Sequence, residues 1–134
     1  VREYCTEGAA LEVILDTSFL IELVSKPVKR LGELEVELGK VDFIVLEPTV
    51  RELKKLASKP GIKAKRANAA LKYVKNVRVV SLDDRKLSAD SAILYYALKH
   101  SAAVATLDRE LRSRLKEEGV VVVTLREDGV WVDR

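Results

Sequence analysis

The sequence predicts an α/β protein of three layers, with a central parallel sheet covered by helices on both faces. Two observations carry this expectation. Short apolar stretches rich in Val, Ile and Leu alternate with longer segments whose apolar residues recur at helical spacing. The short stretches are almost continuously apolar, as suits strands buried on both faces, and the helices between them supply the crossovers that parallel strands require.

The first strand spans Glu12 to Leu15, an apolar, β-branched run stopped by Asp16-Thr17-Ser18, residues that favour helix starts. Phe19, Leu20, Leu23 and Val24 then follow helical spacing until Pro27, and a second helix covers Val28 to Leu38, closed by Gly39. Asp42 to Leu46 is the second strand. Pro48-Thr49 opens a helix carrying Val50, Leu53, Leu56 and Ala57, Pro60-Gly61 makes a turn, and Lys63 to Val74 forms the next helix. Val77 to Ser81 is the third strand, and Ser88 to His100 is a helix with Ile93, Leu94, Ala97 and Leu98 on one side. Ala103 to Thr106, a helix over Asp108 to Glu118 closed by Gly119, and Val120 to Leu125 complete five strands. Asp128-Gly129 turns the chain into Val130-Trp131-Val132, a terminal hairpin.

The 134 residues suit one domain, 1–134, with a tail over 1–11 and a hairpin or tail over 126–134. Composition excludes several chemistries. One His, one Cys and no Met leave His100 and Cys5 too few to build a structural zinc site, a disulfide framework or an imidazole-based two-metal centre. Catalysis here has to run on carboxylates, hydroxyls and hard cations. No apolar run reaches the ~20 residues of a membrane span, and the first ten residues lack the regions of a signal peptide, so a cytoplasmic protein is expected. The absence of Met and Gln beside abundant Lys, Arg and Glu suggests a thermophilic source.

Four acids fall in related places. Asp16 ends the first strand and Asp108 lies two residues beyond the fourth, at the carboxyl rim where open parallel sheets bind ligands. Asp90 shares a helix side with Ile93, Leu94 and Ala97, and Glu52 sits one turn before Leu56. Each also has a local explanation. Asp16 and Asp108 suit helix caps, Asp90 suits the positive end of a helix, and Thr49-x-x-Glu52 matches a capping box. Four acids at one end of a sheet repel one another unless cations neutralise them, and one or two Mg2+ or Mn2+ ions are the hard cations such ligands suit.

The segments VILDTSFL, TVRELKKLA, LSADSAILYYAL and VATLDRELRSRL, with their acids Asp16, Glu52, Asp90 and Asp108, resemble the four acidic motifs of the PIN domain in order and spacing. The resemblance runs from Val13 to Leu125. It implies a five-stranded parallel sheet and a metal-dependent ribonuclease, with those four acids as the catalytic and metal-binding set and Thr106 as a nearby hydroxyl contact. Leu107 departs from the pattern, since members of the family often carry Asn between the Thr and the Asp.

The net charge of +3 conceals an asymmetry. Arg51 to Arg78 holds ten basic residues against one acid, Glu52, a local charge of +9 that leaves −6 for the remainder. Such a stretch beside the acids suits the backbone of RNA, with Lys54, Lys55, Lys63 and Arg66 as contacts and Arg85 and Arg109 extending the surface; the alternative is a solvated helix pair. Aromatic residues are only 5%, so backbone or shape recognition outweighs base stacking. His100 is expected to meet the carbonyls at its helix end, one of Tyr95 and Tyr96 to be core, and Trp131 to cover a sheet edge.

Within the resemblance, two roles are open: a VapC-like toxin with an antitoxin partner, and a nuclease of ribosomal RNA maturation acting on a precursor particle. A homodimer is expected, with Tyr95, Tyr96 and the helix around Phe19 as candidate faces. The competing readings are a catalytically silent PIN module that binds RNA or protein, and a receiver-like phosphoacceptor. The latter is disfavoured, because no second Asp accompanies Asp16 and no Lys follows the fifth strand.

Overall fold

The structure is a computed structural model that describes residues 10–25, 29–83, 86–126 and 129–133. Cys5, Pro27, Asp84, Arg85 and Asp128 lie outside the described residues. The elements in chain order are β1 (Leu11–Leu15), α1 (Thr17–Leu23), α2 (Lys29–Leu38), β2 (Val41–Leu46), α3 (Glu47–Ala57), α4 (Ile62–Val74), β3 (Arg78–Val80), α5 (Ala89–His100), β4 (Ala103–Ala105), α6 (Arg109–Glu117), β5 (Val122–Arg126) and β6 (Gly129–Asp133).

The strands form one sheet in the order β3-β2-β1-β4-β5-β6. The first five are parallel, as the unbroken apolar runs require, and β6 returns antiparallel beside β5 with Val132 opposite Val123 and Val130 opposite Leu125. The terminal hairpin therefore adds a sixth strand to the expected five. A receiver-like sheet would run β2-β1-β3-β4-β5, so the observed order removes that reading. Strand order reverses between β1 and β4, and the crevice at such a switch point opens at the carboxyl ends of those two strands.

Successive strand residues feed opposite faces. Val13, Leu15, Val45, Ala105 and Val123 pack on one side with Phe19, Leu20 and Leu23 of α1, Leu34 of α2, Leu53 of α3 and Ala67, Ala70 and Val74 of α4. Ile14, Ile44, Leu46, Val104 and Val122 pack on the other with Ala92, Ile93 and Tyr96 of α5 and Leu111 and Leu115 of α6. Phe19 is fully buried, so the helix around it offers no aromatic dimer face. No helix among the described residues is long and apolar enough to cross a membrane.

Several local expectations need correction. β1 starts at Leu11, paired with Val41, so it takes in the end of the expected tail. α3 follows β2 directly and begins at Glu47, because Pro48 fits a helix's first turn; Leu46 occupies the cap position and no side chain caps the helix. Thr49 is therefore inside the helix and the Thr49-Glu52 capping box does not form. The Thr49 hydroxyl is buried with no hydrogen-bond partner among the described residues. His100 is the last residue of α5, and its ring stacks on Tyr96 at a centroid distance of 4.1 Å. Tyr96 is core and Tyr95 exposed, while Trp131 lies half-exposed on the edge strand β6.

At the amino end of the sheet, parallel register places Glu12 directly opposite Asp42. Like charges so placed repel. Arg78 at the start of β3 resolves the conflict by donating to Glu12 Oε2 at 2.6 Å and to Asp42 Oδ2 at 2.7 Å. The hydroxyl of Tyr96 donates to Glu12 Oε1 at 2.9 Å. Arg78 thus belongs to the sheet and not to an RNA surface. Arg78→Ala is expected to lower unfolding free energy by about 0.5–1 kcal/mol, an effect that shrinks with added salt and is read from denaturant titrations.

Candidate active site at the carboxyl rim of the sheet

Asp16 lies where β1 ends beside β4, and its amide donates to the Ala105 carbonyl at 3.0 Å. It holds the cap position of α1 but makes no capping bond with its side chain. Asp16 is only 5% exposed, and its carboxylate faces the next loop instead. Its Oδ2 accepts from Thr106 Oγ1 at 2.7 Å and from Ser18 Oγ at 3.1 Å. Each hydroxyl is itself oriented by a backbone amide. Asp108 N–H donates to Thr106 Oγ1 at 3.1 Å, and Leu107 N–H donates to Ser18 Oγ at 3.0 Å. A hydroxyl that accepts from an amide keeps its own hydrogen for the carboxylate. Both hydroxyls converge on Oδ2.

Burial is the main reason that the Asp16 carboxyl lies above its ordinary value; bonds from Thr106, the Thr17 amide and Ser18 oppose the rise, and the charge of Glu52 adds to it. Glu52 sits on the exposed side of α3, where its Oε1 accepts from Thr17 Oγ1. All three residues of Asp16-Thr17-Ser18 therefore serve the rim. Ser18 and Thr17 were not singled out by sequence reasoning, because their types already had an explanation as helix starters.

Asp90 occupies the first turn of α5, and Ser88 caps that helix by accepting from Ser91 N–H at 3.2 Å. The helix end does not need Asp90. Its carboxyl is raised first by burial and then by the charges of Asp16 and Asp108; Arg114 opposes the rise and Glu110 adds to it. Glu110 is an exposed acid that sequence reasoning passed over, and its place in the first turn of α6 was the available signal. Asp108 does cap α6: its Oδ1 accepts from Glu110 N–H at 2.9 Å and Leu111 N–H at 3.1 Å. Both capping bonds use the same oxygen, Oδ1.

The four acids thus form a row in which Glu52 acts on Asp16, and Asp16 and Asp108 act on Asp90. Among the described residues, no three His, Cys, Asp or Glu side chains gather closely enough to enclose an ion. The donor chemistry nevertheless fits a hard cation. Mg2+ is commonly held by one or two carboxylates with several waters, and two carboxyls raised by burial and repulsion are relieved by positive charge. Asp16, Glu52, Asp90 and Asp108 are the carboxylates from which one or two, with waters, would hold it.

The basic candidates separate. Arg51 pairs with Glu47 at 3.2 Å, Arg85 lies outside the described residues, and Lys63 and Arg66 are exposed on α4, away from its buried alanines. Arg109 is exposed at the start of α6 beside Asp108. Lys55 lines a cleft of 340 Å³ with Glu52, whereas Lys54 faces a different hollow with Val50 and Val79. Leu107 packs its side chain into the core while its amide serves Ser18, so the clamp does not depend on an Asn at that position.

A parallel sheet with an acid row at its β1/β4 switch point defines the class as PIN-like. The chain belongs to the PIN like domain family, whose model matches residues 13–128. It is 33% identical over 121 residues to Ribonuclease VapC4 of Methanocaldococcus jannaschii, spanning 87% of this chain and 91% of that protein. It is 29% identical over 116 residues to Ribonuclease VapC9 of Archaeoglobus fulgidus, spanning 86% and 83%. Among solved structures, the PIN domain endonuclease Utp24 superposes with a TM-score of 0.71 at 23% identity, covering 92% of this chain and 91% of that one. VapBC-1 from nontypeable Haemophilus influenzae superposes with a TM-score of 0.58 at 18% identity, over 80% and 94%. These two likenesses establish the fold.

Two outcomes follow from the geometry. Thr106→Val removes a donor to Asp16 and an acceptor for Asp108 N–H, and is expected to cost about 1–3 kcal/mol in chemical denaturation, with Thr106→Ser retaining most of it. Asp90 binds its proton more tightly folded than unfolded, so its ionisation opposes folding once pH exceeds the ordinary carboxylate value. Asp90→Asn is therefore expected to raise Tm at neutral pH by about 2–4 °C, allowing for solvent screening of a partly exposed group. The gain should shrink as pH falls through the raised value, a trend that thermal melts across a pH series read directly.

Proposed function

We propose that the protein is a Mg2+- or Mn2+-dependent endoribonuclease whose catalytic and metal-binding residues are Asp16, Glu52, Asp90 and Asp108, with Thr106 and Ser18 fixing the Asp16 carboxylate. The observation that carries this reading is that Asp16 and Asp90 are both raised by burial and by neighbouring acids, at the switch point of the sheet. Paired salt bridges would be the arrangement for stability alone. The relatives named ribonucleases support the substrate class.

One or two bound ions would supply a water of lowered pKa and positive charge for the phosphate oxygens. The chain's own residues do the rest. Thr106 and Ser18 hold Oδ2 of Asp16, Oδ1 of Asp108 anchors α6, and Asp90 feels the charges of both acids. Thr17 holds Glu52 at the margin of the row. Lys55, Lys63, Arg66 and Arg109 are the exposed cations proposed to draw RNA to this rim.

Between the two roles, the curated relatives favour a VapC-type toxin with a protein antitoxin over a processing nuclease on a ribosomal precursor particle. A homodimer would have to use exposed groups such as Tyr95 and Leu98 of α5. The chain is read as one domain acting in the cytoplasm.

The test is cleavage of single-stranded and structured RNA with Mn2+. Wild type is expected to cut, EDTA to abolish cutting, and Asp16→Asn or Asp90→Asn to slow it by about 10²-fold or more. Mn2+ is also expected to raise Tm of the wild type and not of Asp16→Asn. Cleavage at the wild-type rate in both variants would overturn the site. Absence of cleavage together with absence of a Mn2+ shift in the wild type would establish the silent module instead.

A further inference from the structure

We propose that the cleft between the start of α3 and the turn into α5 is a subsite for the nucleotide adjoining the one being cut, with Lys55 as the ligand of its phosphate. This deepens the nuclease reading above and rests on it. The cleft encloses 340 Å³ and joins Glu52, a member of the acid row, to Arg51, Lys55, Pro48 and Leu87. Two larger hollows, of 470 and 570 Å³, contain none of the four acids.

Position and charge single out Lys55. It stands three residues after Glu52, on the same side of α3. Its ammonium has no acid partner among the described residues, whereas Arg51 is tied to Glu47 and Arg78 to Glu12 and Asp42. Lys54 is one residue away, but a helix turns about 100° per residue, and that side chain lines the hollow with Val50 and Val79. The +9 segment thus delivers one uncommitted cation into the concavity that the acid row enters.

The phosphate next to a cut site is one ribose away from it, so a strand held at the acids leads its neighbouring phosphate past Glu52. A cation is needed there, because Glu52 would otherwise repel it. Pro48, Leu87 and Ala89 give the ribose and base an apolar wall, and the Ser88 hydroxyl beside them already accepts from Ser91 N–H as the cap of α5. Contact at this subsite is therefore to the backbone, and independent of base identity.

The experiment is binding of fluorescein-labelled oligoadenylate and oligouridylate to the full chain, in EDTA to prevent cutting, followed by anisotropy over a salt series. Lys55→Ala is expected to weaken both about three- to tenfold, and to reduce the slope of log affinity against log salt by about 0.7. Lys55→Arg should keep most of that slope. In Mn2+-supported cleavage, Lys55→Ala should raise KM by more than it lowers kcat. Equal losses in Lys54→Ala and Lys55→Ala would overturn the subsite, since charge alone would then explain the effect. So would a Lys55→Ala protein that binds and cuts like wild type; the nuclease reading would survive that result. A wild type that neither binds nor cuts RNA would overturn the nuclease reading and the subsite with it.

Discussion

The rim is organised by a single buried carboxylate. Asp16 is almost wholly removed from water at the seam between β1 and β4, and taking a charge out of water costs several kcal/mol unless hydrogen bonds replace the lost solvent. Thr106 and Ser18 supply those bonds to one oxygen, and both hydroxyls are aimed by amides of the β4–α6 connection. The clamp therefore fixes two loops as well as one side chain. It sets where α6 starts, and through Asp108 it sets where the neighbouring acid stands. The carboxyl remains raised despite the clamp, because burial outweighs the bonds that oppose it.

The two ends of the sheet treat acids in opposite ways. At the amino end, Glu12 and Asp42 face each other in register, and Arg78 and Tyr96 satisfy them; the Tyr96 hydroxyl is pushed up to about 12 by burial and then by Glu12. At the carboxyl end, Asp90 feels the charges of Asp16 and Asp108, with Arg114 the opposing cation, and Asp16 feels that of Glu52. Acids at one end are neutralised for folding. Those at the other are left in mutual repulsion, the condition that a divalent cation or a cation-bearing substrate complex relieves.

Much of this was legible because local physics is strong where the chain is regular. Apolar runs at Glu12 to Leu15 and Asp42 to Leu46 became adjacent parallel strands, and Gly119, with φ of +80°, closes α6 where only a residue without Cβ is comfortable. Local rules failed where two of them applied to the same residues. Thr49 and Glu52 match a capping box, but Pro48 starts the helix earlier, so the hydroxyl is buried without a partner and Glu52 is held by Thr17. Ser18 looked like helix punctuation and proved to be a ligand of Asp16. Arg78 lay in a basic stretch and proved to neutralise two strand acids from far along the chain.

The sequence by itself determined the alternation of strands and helices, the two-sided burial of the sheet, and the type and order of the four acids. Those depend on periodicity and residue chemistry, which are properties of short segments. Tertiary structure decided the strand order that brings β1 beside β4, the pairing that takes Arg78 out of the basic surface, and the divergence of Lys54 from Lys55 into separate hollows. It also decided that Oδ2 of Asp16 is held by Thr106, from the far side of the β1–β4 seam. The physical reason is distance along the chain: Arg78 meets Asp42 and Glu12 across 36 and 66 positions, and Thr106 meets Asp16 across 90, and no local preference encodes which distant partner a side chain will meet.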